Sequence, residues 1–371
     1  MTDHIRLLIP GPGDVEDDVL AAMAEPVRRH YGPEWMATYG EAQSLLKQIF
    51  RTANDLYIVP GPASAVLDMA IGSLLATGQK IIVGRNGFFG DRLAELGEAY
   101  GLTVVPCDAP IGQPLQPDAL KAVLREHPDA RVVAIIHHET STTVMNPLRD
   151  LVSAAREAGR VTIVDAVSSM GGAELDVDGW GIDVCVTAAN KCLEGPAGAG
   201  FISVSPRAWE QVDSHADTGH GWYLNLRTWR RYAREWGSWH PTPVTVSSNT
   251  ILGMLASLRR IAAGGLDAHI AKYASAGRTA REGLRGLGFE MFVPDTCAAP
   301  MVTAVHARPE FPVSDLVSWL LTERRIAISG GLGSLSGKIF RVGHLGKAAS
   351  DEYLNDFLSA VADFLRSRSL R

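Results

Sequence analysis

Two charged residues stand where charge is expensive. Asp165 ends the apolar run of RVTIVDAVSSMGG, and Lys191 follows the run IDVCVTAAN, 26 residues later. A carboxylate beside a buried strand is costly unless something cationic meets it, and burial lowers an amine's pKa toward nucleophilic competence. An ordinary buried ion pair would satisfy both residues. Their position argues for more, because each lies at a strand end beside glycines, where parallel α/β sheets bind ligands and where perturbed groups cluster.

The pair points to pyridoxal 5'-phosphate. That cofactor needs a lysine for its Schiff base, a carboxylate to keep the pyridine nitrogen protonated, donors for its phosphate and a flat group against the ring. VPGPASAVLDMA runs from a strand end through a Gly/Pro turn into a helix start, so amides near Ala63 and Ser64 would meet an anion at a helix N-terminus. GRNGFFGDR sets Phe88 and Phe89 in a Gly-flanked turn after KIIVG, placed either to stack on a ring or to pack the helix entry.

The elements that must hold these residues follow from periodicity. DLYIVPG, KIIVGRN, LTVVPCD, ARVVAIIHHE, RVTIVDAV, IDVCVTAA and GAGFISVSP are β-branched runs of strand length. They are spaced by helical segments such as ASAVLDMAIGSLL and LRDLVSAAREAG, the pattern of an α/β fold with a mostly parallel sheet flanked by helices. From about Ser247 a long helical segment leads into a shorter βαβ-like tail and a closing helix, DEYLNDFLSAVADFLRSR. We therefore expect an N-terminal arm over 1–14, a large cofactor-binding domain over 15–250 and a small C-terminal α/β domain over 251–371 with a helical linker at its start. The arm, IPGPGDV, offers little helix signal and is expected to pack on one of the two domains as an extended segment.

Composition removes several classes. The 371 residues carry 35 Lys+Arg against 41 Asp+Glu, and no basic stretch relieves that acidity, so nucleic acid is not an expected partner. Cys107, Cys185, Cys192 and Cys297 form no CxxC pattern and fit reduced thiols in a cytoplasmic protein. No run approaches the length of a membrane span, and the start MTDHIRLLIP lacks the pattern of a secretory leader. His137 and His138 are adjacent on a strand and point to opposite faces, so they do not chelate one metal ion. The turn GPASA lacks the GxGxxG of a dinucleotide site. A non-catalytic binding protein of the same fold would be expected to have lost the lysine.

The motifs IPGPGDV, GPASAVLDMA, NGFFGDR, HHETSTTVMNPL, VDAVSSMGG, ANKCLEGPAGAGFISVS and SGKIFRVGHLG, taken together, resemble the class V aminotransferases of fold type I. The relevant subgroup holds the alanine–glyoxylate, serine–pyruvate, 2-aminoethylphosphonate–pyruvate and pyridoxamine–pyruvate transaminases. The resemblance implies a large domain built on a seven-stranded sheet and a homodimer with shared active sites. It makes Lys191 the Schiff-base lysine and general acid–base, and Asp165 the partner of the pyridine nitrogen. Val167 and Phe89 would cover the two ring faces, and Thr140 would bond the ring hydroxyl or Asp165. Ala63, Ser64 and Asn190 match the phosphate-binding positions, and Trp239 and Thr242 in GSWHPTPVTVSSNT would reach the neighbouring subunit's phosphate. Arg341 would grip the substrate α-carboxylate, for which its planar fork is suited; otherwise it would be a surface arginine on an edge strand.

The implied reaction is ping-pong transfer of an amino group from a small amino acid or amine donor to a 2-oxo acid such as pyruvate or glyoxylate. Asn190 in the NKC form leans toward the phosphonate and pyridoxamine enzymes, while Leu332 stands where the pyridoxamine enzymes carry a second arginine. GPAS leaves Pro62 where many relatives place a side-chain donor. A lyase on the same scaffold is the further alternative, although Cys192 beside the lysine does not suit a desulfurase nucleophile. Tyr31 and Trp35 in HYGPEW, and the insert HGWYLNLRTWRRYAREW, are candidates for shaping the substrate pocket; such rings are more often packed wedges.

Overall fold

The computed structural model describes residues 4–214 and 221–370. Met1–Asp3 of the expected arm, Arg371 and His220 at the head of the aromatic insert lie outside the described residues. Along the chain, β1 (Arg6–Leu7), α1 (Asp17–Met23) and α2 (Pro33–Phe50) precede an alternating stretch of strands and helices. That stretch runs β2 (Asp55–Pro60), α3 (Ala63–Leu74), β3 (Lys80–Arg85), α4 (Phe88–Ala99), β4 (Thr103–Asp108), α5 (Pro117–Glu126) and β5 (Val132–Ile136). A short hairpin, β6 (His138–Glu139) and β7 (Val144–Met145), leads to α6 (Leu148–Glu157), β8 (Val161–Asp165), β9 (Val184–Ala188) and β10 (Ala199–Val204).

Seven of these strands form one sheet in the order β2-β10-β9-β8-β5-β3-β4, parallel except for β10, which runs antiparallel to both its neighbours. Burial on both faces explains the continuous apolar runs. Val133 and Ile135 enter one core with residues of α2, α5, α6 and a later helix, while Val132, Ala134 and Ile136 enter the other core with α3 and α4. That is the period of two expected of a strand covered on both sides.

The C-terminal part begins with α7 (Pro206–Asp213), α8 (Leu226–Glu235), α9 (Ser248–Gly264) and α10 (Leu266–Gly286). The long helical segment is thus two helices, broken at Gly265, whose φ of 84° suits a residue without a Cβ. Then follow β11 (Val302–His306), α11 (Val313–Arg324), β12 (Ile326–Ala327), β13 (Ser329–Gly330), β14 (Ile339–Gly343) and α12 (Asp351–Ser367). The βαβ-like tail is a split unit: β14 lies between β11 and β13 and is antiparallel to both. A third apolar core gathers α10, α11 and α12 against these strands.

The arm bridges both sheets instead of packing on one. Arg6 and Leu7 pair in parallel with Ile326 and Ala327, and Gly343 N donates to Leu8 O at 2.8 Å. Five residues further on, Gly13 N donates to Asn190 O at 3.0 Å, beside the loop that follows β9. Among the described residues no helix is long and apolar enough to cross a membrane.

Candidate active site

Strand ends set the geometry. β8 and β9 are parallel neighbours, with Asp165 opposite Val186, so Asp165 and the loop carrying Lys191 emerge at the same edge of the sheet. Two main-chain bonds fix Asp165's surroundings: His137 N donates to its carbonyl at 2.9 Å, and Ala166 N donates to Val186 O at 2.8 Å. The arm passes over the lysine. Lys191 Nζ donates to Pro10 O, and a Cβ on Gly11, whose φ is 129°, would sit 2.1 Å from Nζ. Only glycine admits the amine this close to the arm's backbone.

These residues surround a cavity of about 380 Å³. Of the ten expected cofactor residues, Ala63, Ser64, Phe89, Thr140, Asp165, Val167, Asn190 and Lys191 all line it. Ala63 and Ser64 are the first two residues of α3, whose cap position is Pro62 with no side-chain bond, so their amides have no intrahelical acceptor. Phe89 stands one residue into α4. Thr140 Oγ1 donates to Ser168 Oγ at 2.8 Å. Leu67, Leu93, Leu96 and Ile136 supply an apolar wall.

Asp165 and Lys191 are not each other's hydrogen-bond partners. Asp165 Oδ1 accepts from Val167 N at 2.9 Å. Burial pushes the Asp165 carboxyl up to about 6, with Glu139's charge adding to it, while the Val167 amide and the charges of Lys191 and Arg92 pull it down. Burial also pulls the Lys191 amine down to about 8; the nearby Arg341 charge acts in the same direction, and Asp165 opposes it. The result is an amine with an appreciable neutral fraction near physiological pH beside a buried carboxylate that gains from a cationic partner.

Arg341 is 4% exposed at the centre of β14, flanked on both sides by strands, so it is neither a surface residue nor on an edge. Its Nε donates to Gly330 O and its Nη1 to Thr140 O, each at 3.1 Å, which places the guanidinium directly behind the cavity wall. The remaining expected residues lie elsewhere. Thr242 is fully buried with its hydroxyl donating to Val244 O at 2.9 Å, and Trp239 is 44% exposed, its ring 6.1 Å from that of Tyr31. Tyr31 itself is 42% exposed, under Arg29, and Trp35 is a core side chain of α2. None of the four lines the cavity.

Three polar lining residues are not among the cofactor residues expected from the sequence: Arg92, His138 and Ser168. Arg92 was within reach of it, since it stands three positions after Phe89 on one helix and so shares its face; its guanidinium lies 4.9 Å from the Phe89 ring centroid. His138 lines the cavity while His137 packs edge-on to Trp180 at 6.1 Å, so the two do point apart. His138 Nδ1 meets Ser168 O at 3.1 Å, and burial pulls its imidazole down to about 4, leaving it neutral. Cys192 is buried, its thiol pushed far up by desolvation, which removes it as a nucleophile.

The donor set fits pyridoxal phosphate. A helix start with free amides, a depressed lysine under a glycine, a buried carboxylate and an aromatic ring converge on one cavity.

Comparison with known proteins agrees. The family described as "Aminotransferase class-V" matches residues 20–345. An uncharacterized aminotransferase of Methanocaldococcus jannaschii is 33% identical over 348 residues, covering 94% of this chain and 89% of the relative. A Synechococcus protein named as the small subunit of a soluble hydrogenase is 34% identical over 98% of this chain and 92% of its own length. Among solved structures, alanine–glyoxylate aminotransferase from Nostoc sp. superposes with a TM-score of 0.94 at 29% identity, covering 98% of this chain and 96% of that one.

Proposed function

The chain belongs to the class V aminotransferase family, and from that premise we propose that it is a transaminase that moves an amino group from a small amino acid or amine donor to pyruvate or glyoxylate. The observation that carries this reading is the placement of Lys191 and Asp165 at one edge of two adjacent parallel strands, in a single cavity.

Bound pyridoxal phosphate supplies the electron sink that lets a bond at the substrate's α-carbon break. The protein's share is binding and proton movement. The Ala63 and Ser64 amides at the start of α3, with Asn190, would hold the cofactor's phosphate. Asp165 keeps a proton on the ring nitrogen; the cation it meets there offsets the burial that raises its own pKa. Phe89 and Val167, which line the cavity, would pack on the two faces of the cofactor's ring. Lys191 Nζ, pulled down to about 8, would take the proton from the donor's α-carbon and pass it to the cofactor, and in the second half-reaction would carry a proton the other way to the α-carbon of the 2-oxo acid. Arg341 receives the carboxylate in each half-reaction, turning its unused N–H groups past Thr140. The apolar wall of Leu67, Leu93 and Leu96 keeps water from the reacting carbon.

The protein acts as a cytoplasmic homodimer, with Trp239 of one protomer reaching toward the other's phosphate. The exposure of Trp239 outside its own cavity supports that arrangement.

Titration of the purified holoenzyme with alanine, serine, 2-aminoethylphosphonate and pyridoxamine in turn tests the reading. A donor that bleaches the visible cofactor band, with recovery on adding pyruvate or glyoxylate, establishes the transaminase and names its donor. Release of ammonia with every donor would replace it by a lyase.

A further inference from the structure

We propose that Glu139 is a positioning residue whose single buried side chain ties together the two groups that must face the bound substrate and ring. On one side it holds the N-terminus of α4, which presents Phe89 to the cavity. On the other it anchors the hairpin that carries Thr140, the residue against which Arg341 rests.

Glu139 is 0% exposed. Its Oε1 accepts from the Phe89 amide at 3.3 Å, the Ser141 amide at 3.0 Å and the Ser141 hydroxyl, and its Oε2 accepts from the Gly90 amide at 3.0 Å. Ser141 Oγ in turn accepts from the Phe88 amide at 2.9 Å. The first three amides of α4 are therefore all satisfied by the β6 hairpin, and the helix's own cap position, Gly87, contributes no side chain. A Cβ at Gly87 would lie 2.6 Å from Glu139 Cγ and Cδ and 2.5 Å from Ser141 Oγ. That glycine admits the carboxylate.

An ordinary cap would be a Ser, Asp or Asn at position 87 itself, without burial of a longer acid. What the longer acid adds lies in its neighbours. Thr140, the next residue, gives its carbonyl to Arg341 Nη1 at 3.1 Å and its hydroxyl to Ser168 at 2.8 Å. Burial pulls Arg341 down to about 10, still cationic at neutral pH, and Glu139 opposes that shift. The same charge raises Asp165. Nothing in the proposed chemistry needs Glu139 to touch the substrate; it acts through Phe89, Thr140 and Arg341.

The inference rests on the roles proposed above for Phe89 and Arg341, so the test must separate the two. Glu139→Gln and Ser141→Ala are prepared with bound pyridoxal phosphate beside the wild type. The induced circular dichroism of the visible band is read per bound cofactor, and KM and kcat are measured with pyruvate. Glu139→Gln is expected to change the induced signal and to raise KM roughly tenfold or more, with a smaller effect on kcat, because a charged hydrogen-bonding group is lost. Ser141→Ala keeps the charge, so it is expected to change the induced signal without moving KM. A Glu139→Gln protein that melts at lower temperature but keeps both the wild-type signal and KM would reduce Glu139 to a helix cap. If Glu139→Gln does not fold, an unaltered induced signal in Ser141→Ala overturns the inference. A wild type with no visible band would instead overturn the reading of the cavity itself, and the inference with it.

Discussion

Two parts of the molecule offer rings and polar groups for binding, and they are held in opposite ways. At the carboxyl ends of β8 and β9, every group is fixed by a different element: Asp165 by its strand and the Val167 amide, Lys191 by the arm, Phe89 by α4, Arg341 by Gly330 and Thr140. In the stretch from Trp222 to His240 the rings lean on one another. Trp236 and Trp239 lie 5.3 Å apart, Trp239 and His240 5.4 Å, and Trp222 and Trp239 are about half exposed. The first region is pinned by elements of its own chain. The second is a surface of aromatic rings, the kind enriched where a further surface docks.

That contrast is broken most sharply at the lysine. Lys191→Ala should lower transamination by roughly 10⁴-fold or more and remove the visible cofactor band; appreciable turnover would show that the strand-end region is structural. In the wild type only the neutral amine attacks the cofactor. Uptake of pyridoxal phosphate by the apoprotein is therefore expected to speed up with pH until about 8 and then level off.

Asp165→Asn comes next, with a loss of roughly 10²–10³-fold in kcat. Its effect on stability has the opposite sign. The folded pKa of about 6 lies above the ordinary aspartate value of 3.8, so protonation of Asp165 favours the fold at low pH, and that contribution is lost as pH rises through 6. At pH 7–8 the Asn variant of the apoprotein should be the more stable, on the order of 2–3 kcal/mol, as read from paired denaturant curves. A less stable variant would mean that the ionised carboxylate already has a cationic partner in the apoprotein.

Arg341→Lys keeps the charge and loses the fork. KM for the 2-oxo acid should rise roughly tenfold or more, with kcat less affected. The smallest effect sharpens the other side of the comparison. Trp239→Ala should weaken cofactor binding only a few-fold, about 1 kcal/mol, and should make holoenzyme formation depend on protein concentration. If cofactor affinity does not change, the aromatic stretch is no part of a shared site.

What could be read in advance divides along the same line. The seven strands, Asp165 and Lys191 were legible because a sheet covered on both faces must be written as uninterrupted apolar runs, and an Asp or Lys breaking such a run is conspicuous; Ala63, Ser64 and Phe89 followed from the turns after strands, and Thr140, Val167 and Asn190 only from the resemblance to class V aminotransferases. His138 was not legible, because which face of a two-residue strand points to a cavity depends on a hairpin whose register local sequence does not reveal; Ser168 was not, because it sits in the irregular turn after β8, where no periodicity sets its direction. The split of the C-terminal βαβ unit by β14 also escaped, since periodicity says nothing of strand order. Arg341 was legible as a type and a position, but its burial was not, because that depends on β11 and β13 flanking it.

The arm that crosses Lys191 also bears on how the protein is made. Arg6 pairs with Ile326, so the arm, made first, has no partner strand until residue 326 has been translated. The 135 residues from Lys191 to Ile326 take roughly 7–27 seconds at about 5–20 residues per second, and for that time the lysine is uncovered while the larger sheet is already able to form. The cavity is thus among the last features to close during synthesis, and a chain stalled before Ile326 would expose its reactive amine to whatever aldehydes the cell contains.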